Sequence, residues 1–250
     1  MQMQSTFPVS EDRLLGGRLR LSQPVEGYRV AIDPVMLAAA VPAGPGQLVL
    51  DLGCGVGAAG LCLLERKPDL MVTGLEIQPE LAALARANAA ANQRQDAFRV
   101  VVGALEDGPL KPGFDHVMTN PPFDPPGRGT APAGPIKAQA NVEGRLDLAG
   151  WIKAACKLLV PGGRLTLIQR AERLDDILAS LRGRGMGEVR VLPLWPKSGR
   201  PASRVIVTAR KGSRARLELL PGLVLHREDG KYTEAAEAIL RHGTHLMWRE

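Results

Sequence analysis

The chain predicts an α/β fold of seven strands, mostly parallel, with helices on both faces and an antiparallel hairpin closing one edge. Three observations carry this. From residue 47 onward short apolar runs alternate with segments of helical periodicity, the pattern of strands linked by crossover helices. Glycine or proline punctuates each change of period. The last two strand-like runs, EVRVLPLW and SRVIVTAR, are separated by too short a loop for a crossover helix, so they pair antiparallel.

The elements follow in order. QLVLD is a strand, and GAAGLCLLERK a helix after a glycine turn. LMVTGLE is the second strand, and QPELAALARANAAANQ an alanine-rich helix with Pro79 in its first turn. FRVVVG and FDHVMT are the third and fourth strands. RLDLAGWIKAACKLL is an amphipathic helix ended by Val160-Pro161-Gly162-Gly163, and Trp151 at its apolar spacing reads as core. GRLTLIQR is the fifth strand, and AERLDDILASLRGRG a helix with a glycine stop. Ahead of this core, two period-2 segments around Pro24 to Gly27 predict a hairpin, and Asp33-Pro34 an N-cap and first-turn proline of a short helix. After it, LELLPGLVLHREDG is an extended appendage and YTEAAEAILRHG a terminal helix. We expect one domain over residues 1–250: hairpin and helix in 1–42, the core in 47–210, the appendage in 211–250. Residues 127–144, poor in apolar side chains, form the best candidate for a mobile loop.

Bulk properties narrow the chemistry. The 45% hydrophobic and 23% charged content is ordinary for a globular protein. No run of some 18 apolar residues could span a membrane, and MQMQSTFPVSEDR lacks the pattern of a secretion signal, so a cytoplasmic location is expected. Cys54, Cys62 and Cys156 form no CxxC pair, which points to reduced thiols without a metal site. His242 and His245 read as solvated. The net charge of +6 is uneven: Arg182 to Arg216 holds ten Lys or Arg against Glu188 alone, a local +9 that leaves −3 for the rest. A folded basic patch of this kind attracts polyanions.

LVLDLGCGVGAAG is the strongest signal. Gly53, Gly55 and Gly57, with Cys54 among them, let the backbone turn from strand to helix and approach a ligand. Gly53-x-Gly55-x-x-Ala58 also fits the dinucleotide fingerprint by letters. Asp51 discriminates, because a carboxylate there repels a pyrophosphate at the helix N-terminus. It favours S-adenosylmethionine, which has no phosphate and carries an ammonium and a sulfonium. Glu76, 25 residues later at the end of the next strand, suits both ribose hydroxyls, and Ile77 would pack on adenine.

The second signal is TNPPFDPPGRG, Thr119 to Gly129. With DLGCGVG and Glu76, Asn120-Pro121-Pro122-Phe123 after the fourth strand resembles the class I S-adenosylmethionine-dependent methyltransferases of Rossmann-like fold, over about residues 47 to 210. The NPPF form is similar to enzymes that methylate planar exocyclic or amide nitrogens. The resemblance implies that the Asn120 side-chain oxygen and the Pro121 carbonyl accept the two N–H groups of the target. That localises a delocalised lone pair and aims it at the methyl carbon. Pro122 confines the residue before it, and Phe123 would stack on a flipped-out base. No strong base is required. Where relatives carry an acid for the adenine amino group, this chain has Ala104 and Leu105, so their backbone would take that role.

The flanks narrow the acceptor. AIDPVMLAAAV, and the tail from KSGRPASR through LLPGLVLH to a Tyr-Thr helix start, resemble a family of tRNA adenine-N6 methyltransferases that modify adenine 37 of a valine tRNA. Tyr28, Lys197, Arg200, Arg204, Lys211 and Arg214 are then the RNA-contact candidates. Nine aromatics leave little for a stacking platform; Phe123 and Tyr28 are the ones of interest, and Trp195 reads either way. Alternatives are a ribosomal-RNA guanine-N2 methyltransferase, a release-factor glutamine methyltransferase, a small-molecule enzyme, and a non-catalytic RNA-binding module. The first usually has a second domain, the second usually has Tyr at Phe123 and a helical N-terminal domain, and the intact Asp51, Glu76 and Asn120 oppose the last.

Overall fold

A computed structural model describes residues 8–26, 29–122, 146–246 and 248. Tyr28, Phe123 and the segment 127–144 lie outside the described residues. Strands β1 (Val9–Leu14) and β2 (Leu19–Pro24) form a hairpin, followed by α1 (Asp33–Ala40). The core runs β3 (Leu48–Leu52), α2 (Ala58–Arg66), β4 (Met71–Glu76), α3 (Pro79–Ala91), β5 (Phe98–Val102) and β6 (Phe114–Thr119). It continues with α4 (Leu148–Leu158), β7 (Leu159–Arg170), α5 (Leu174–Leu181), β8 (Met186–Trp195) and β9 (Arg204–Lys211). Two short strands, β10 (Glu218–Leu219) and β11 (Leu223–Val224), precede α6 (Glu234–Leu240).

The seven expected strands form one sheet in the order β8-β9-β7-β6-β3-β4-β5. β9 is antiparallel to both neighbours, as the short loop requires. Among the described residues the sheet has nine strands, because β10 and β11 run parallel along β8 and cover what would be a bare edge. Side chains alternate between two buried clusters. Val49, Met118, Ile168, Ile206 and Leu192 pack under α1, α2, α3, the hairpin and α6. Leu50, Leu52, Val117, Leu165, Leu167 and Val207 pack under α4 and α5. Among the described residues no helix is long and apolar enough to cross a membrane.

Three local expectations are corrected. The hairpin reverses at Leu15–Gly17, not around Pro24, because Gly16 and Gly17 adopt φ +68° and +95° and Pro24 only closes β2. Its first strand, VSEDRL, is largely polar and carries no apolar alternation to find. Asp33 is not the N-cap of α1; Ile32 is, and the Asp33 carboxylate accepts from Arg204 Nε at 3.1 Å. Val160 to Gly163 are the start of β7, bulging where its register against β6 shifts.

Two asparagines fix the hairpin on α3. Asn88 Oδ1 accepts from Ser22 N (2.7 Å) and its Nδ2 donates to Ser22 O (2.9 Å), while Asn92 does the same with Arg20 (2.9 and 2.7 Å). Four helical residues rise about 6 Å and two strand residues about 6.6 Å, so the amides meet alternate strand positions. Asn88 is buried and also donates to Val56 O at 3.0 Å. Asn88→Ala is expected to cost about 2 kcal/mol in chemical denaturation, and Asn92→Ala about 1, since only the first orphans buried partners.

Candidate active site

From β3 the chain runs outward to β4 and β5, then returns to place β6 on the other side of β3. Ligands of open parallel sheets lodge at the carboxyl ends of the strands at such a reversal. Both sequence motifs arrive there: Gly53–Gly57 follows β3, Asn120–Pro122 follows β6, and Leu52 is in register with Thr119.

Gly53, Gly55 and Gly57 all take positive φ, at +73°, +55° and +85°. A Cβ on Gly57 would lie 2.7 Å from the Phe98 ring, so this position needs glycine for space as well as conformation. The same ring lies against Gly60 and Gly74. Gly53 N and Cys54 N donate to Leu75 O (2.9 and 3.0 Å), tying the loop to β4.

The two acids organise this loop. Asp51 is 2% exposed, and its Oδ2 accepts from Gly60 N at 2.9 Å. Glu76 accepts from Gly55 N through Oε2 and from Gln78 N through Oε1, each at 2.9 Å. Burial pushes the Asp51 carboxyl up to about 7, with the Gly60 N–H opposing and Glu76 adding to the rise. Burial also raises Glu76, against the N–H groups of Gln78, Gly55 and Ile77. Among the described residues neither carboxylate has an ion-pair partner. Each carboxylate oxygen can accept a second bond, so hydroxyl or ammonium donors could still be received.

Around them Ile77 is 57% exposed at the end of β4, Leu105 half-buried and Ala104 buried. Cys54 is buried, and burial holds its thiol well above the ordinary range. Asn120 is half-buried and Pro121 buried.

Sequence reasoning missed the supports. Thr119 Oγ1 donates to Leu52 O (2.8 Å) and accepts from Trp151 Nε1 (2.9 Å), and the Trp151 ring covers Gly53. Trp151 is thus part of the site wall, not merely core. The fully buried Gln169 donates from Nε2 to the Pro122 carbonyl at 3.2 Å, fixing the proline pair from the next strand. Gly60 and Gly74, glycines inside a helix and a strand, were the available signal of close approach.

The basic stretch divides. β9 carries Arg204 at the active-site edge, opposite Arg170 and Leu194, and Lys211 at the other end of the sheet. Seven residues of strand separate them by about 23 Å. Lys197 and Arg200 lie in the loop at the active-site edge, and Arg200 is exposed. Lys197 donates to Glu228 O at 3.0 Å. Exposed Arg214 lies beyond Lys211 at the far edge, and Lys211 itself donates to Cys156 O and Leu159 O (2.9 and 2.6 Å), capping α4. One continuous phosphate patch, as expected from sequence, is therefore replaced by two separated groups. Among the described residues no group of three His, Cys, Asp or Glu is placed to hold a metal.

The sequence model of the methyltransferase small domain matches residues 32–181. A curated tRNA1(Val) (adenine(37)-N6)-methyltransferase from Porphyromonas gingivalis is 35% identical over 198 residues, covering 70% of this chain and 74% of that protein. One of the same name from Dickeya chrysanthemi is 28% identical over 223 residues, covering 85% and 86%. Among solved structures, a predicted O-methyltransferase from Agrobacterium tumefaciens superposes with TM-score 0.71 at 27% identity, covering 87% of this chain and 99% of that one. A SAM-dependent O-methyltransferase from Thermotoga maritima shares the fold, with TM-score 0.55 at 17% identity over 75% and 68%. The chain belongs to the methyltransferase small domain family, in the group whose curated members are named tRNA1(Val) (adenine(37)-N6)-methyltransferases.

Proposed function

We propose that the protein uses S-adenosylmethionine to methylate the exocyclic N6 of an RNA adenine, with adenine 37 of a valine tRNA as its target. The observation that carries this is a pair of buried carboxylates that, among the described residues, have no ion-pair partner, beside Asn120-Pro121-Pro122. Buried acids of that kind attract a cation. Here Glu76 would receive the ribose hydroxyls, Ile77 would flank the adenine, and the Ala104 and Leu105 backbone its amino group. Asp51 acts through its charge and through the loop it anchors.

The cofactor supplies an electrophilic methyl on a sulfonium, and this chain's residues position the acceptor. Asn120 Oδ1 and the Pro121 carbonyl accept the two N–H bonds of the target amino group, which directs its lone pair along the line of attack. With the cofactor bound, its methyl carbon would pass to the nitrogen these residues aim, with the neutral thioether as leaving group and the surplus proton going to water. Gln169 and Trp151 support the two loops, and Phe123 is assigned the stacking position on its place after Pro122. Lys197 and Arg200 would meet backbone phosphates at the same edge. The Asn-Pro-Pro-Phe loop favours nitrogen over oxygen as the acceptor, since a hydroxyl has no pair of N–H bonds to orient.

Labelled methyl transfer from S-adenosylmethionine to unmodified tRNA, ribosomal RNA and a release factor, with nucleoside analysis, tests this. N6-methyladenosine in tRNA is expected. Label in guanosine or in protein would keep the fold and overturn the acceptor.

A further inference from the structure

Strands buried on both faces normally read as unbroken apolar runs. One patch departs from this. On the face covered by α1 and α2, His116, Arg164, Thr166, Thr208 and Arg190 occupy neighbouring register positions on β6, β7, β9 and β8. Over them lies a cavity of about 480 Å³, lined by Lys67, Arg164, Arg190, Thr208, His245, Trp248 and apolar side chains. α2 starts at the glycine loop and ends beside Lys67, so the cavity lies about 14 Å, one helix length, from the active site.

Its described lining carries cations, with their paired carboxylates lying outside the lining. Among the described residues no Asp or Glu lines it. Glu188 pairs with Arg164 at 2.7 Å and lies 3.7 Å from Arg210, and Glu218 pairs with Arg190 at 2.8 Å. A guanidinium has five donors, so these pairs orient the two arginines without using up their bonding capacity. Lys67 Nζ is anchored on Ala43 O, and the Trp248 indole on Ala40 O at 2.7 Å. Both histidines here are held toward the neutral form, first by desolvation and then by nearby cations. Burial, Arg164 and Lys67 together hold His116 down to about 4, despite Asp115. Burial, Lys67 and Arg66 lower His245.

We propose that this cavity is a second binding site, for a phosphate-bearing ligand of mononucleotide size. Lys67, Arg164 and Arg190 take the phosphate, and the indole with the apolar wall takes the base. The volume falls within the range of about 300–1,000 Å³ found for small-ligand pockets. The ligand is either a free nucleotide or one nucleotide of bound RNA, which share this chemistry.

Calorimetric titration with AMP and, separately, with a short single-stranded RNA distinguishes the sources. The variants are Lys67→Gln and Arg190→Gln, with Lys153→Gln on an exposed face as an equal-charge control and unfolding midpoints as the fold check. A free-nucleotide site predicts that AMP binds the wild type, that inorganic pyrophosphate displaces it, and that each cavity variant weakens it about tenfold. An RNA site predicts the same loss for the RNA probe alone. Failure of both probes to bind the wild type, or an equal loss in Lys153→Gln, overturns the proposal. The wild-type displacement test stands even where a variant does not fold.

Discussion

Asn120→Ala should lower methyl transfer by about a hundredfold or more while leaving cofactor affinity within about twofold, because a group aimed at the reacting centre acts mainly in the transition state. Truncation removes one of two acceptors for the target amino group and leaves the Pro121 carbonyl. The backbone around it is held independently, by Gln169 on Pro122 and by Thr119 on Leu52. Single-turnover transfer and equilibrium binding, measured side by side, check this. Parallel losses in both would assign Asn120 to holding the cofactor.

The second large effect concerns pH. A carboxyl whose folded pKa is raised to about 7 keeps its proton in the folded protein after the unfolded chain has released it. Its contribution to stability therefore falls as pH rises from about 4 to 7 and is flat above. A bound cation reverses the preference by favouring the ionised form. Affinity for S-adenosylmethionine should then rise by up to about tenfold per pH unit below 7 and level off above it, as binding expels the Asp51 proton. In Asp51→Asn, still able to accept from Gly60 N, affinity at pH 8 should drop by about tenfold to a hundredfold, and this slope should disappear. Calorimetry between pH 5.5 and 8 in both proteins decides; identical profiles would move the titration to another group. Glu76, also raised by burial, is expected to add a shallower dependence that persists in the variant.

Much of this architecture was legible because its signals are local. A change of hydrophobic period marks strand against helix, and Gly53, Gly55 and Gly57 mark a sharp turn whatever surrounds them. Asp51 and Glu76 stand at strand ends because the strands stop there. What escaped were roles created by contact. Asn88, in an alanine-rich helix, reads as a weak helix former until β2 and Val56 meet it. Gln169 and Trp151 read as strand and core until β7 and α4 bring them to Pro122 and Thr119.

By itself the sequence determined the strand–helix alternation, the carboxyl-end motifs and the antiparallel sense of β8 and β9, since each depends on neighbours a few residues away. Only the tertiary structure decided that β9 inserts between β7 and β8, which sets Arg204 beside Arg170 at the active-site edge. It alone brought Lys67, Arg164, Arg190, His245 and Trp248 around one cavity. The physical reason is that charge and burial act through space, whereas periodicity and turn chemistry act along the chain.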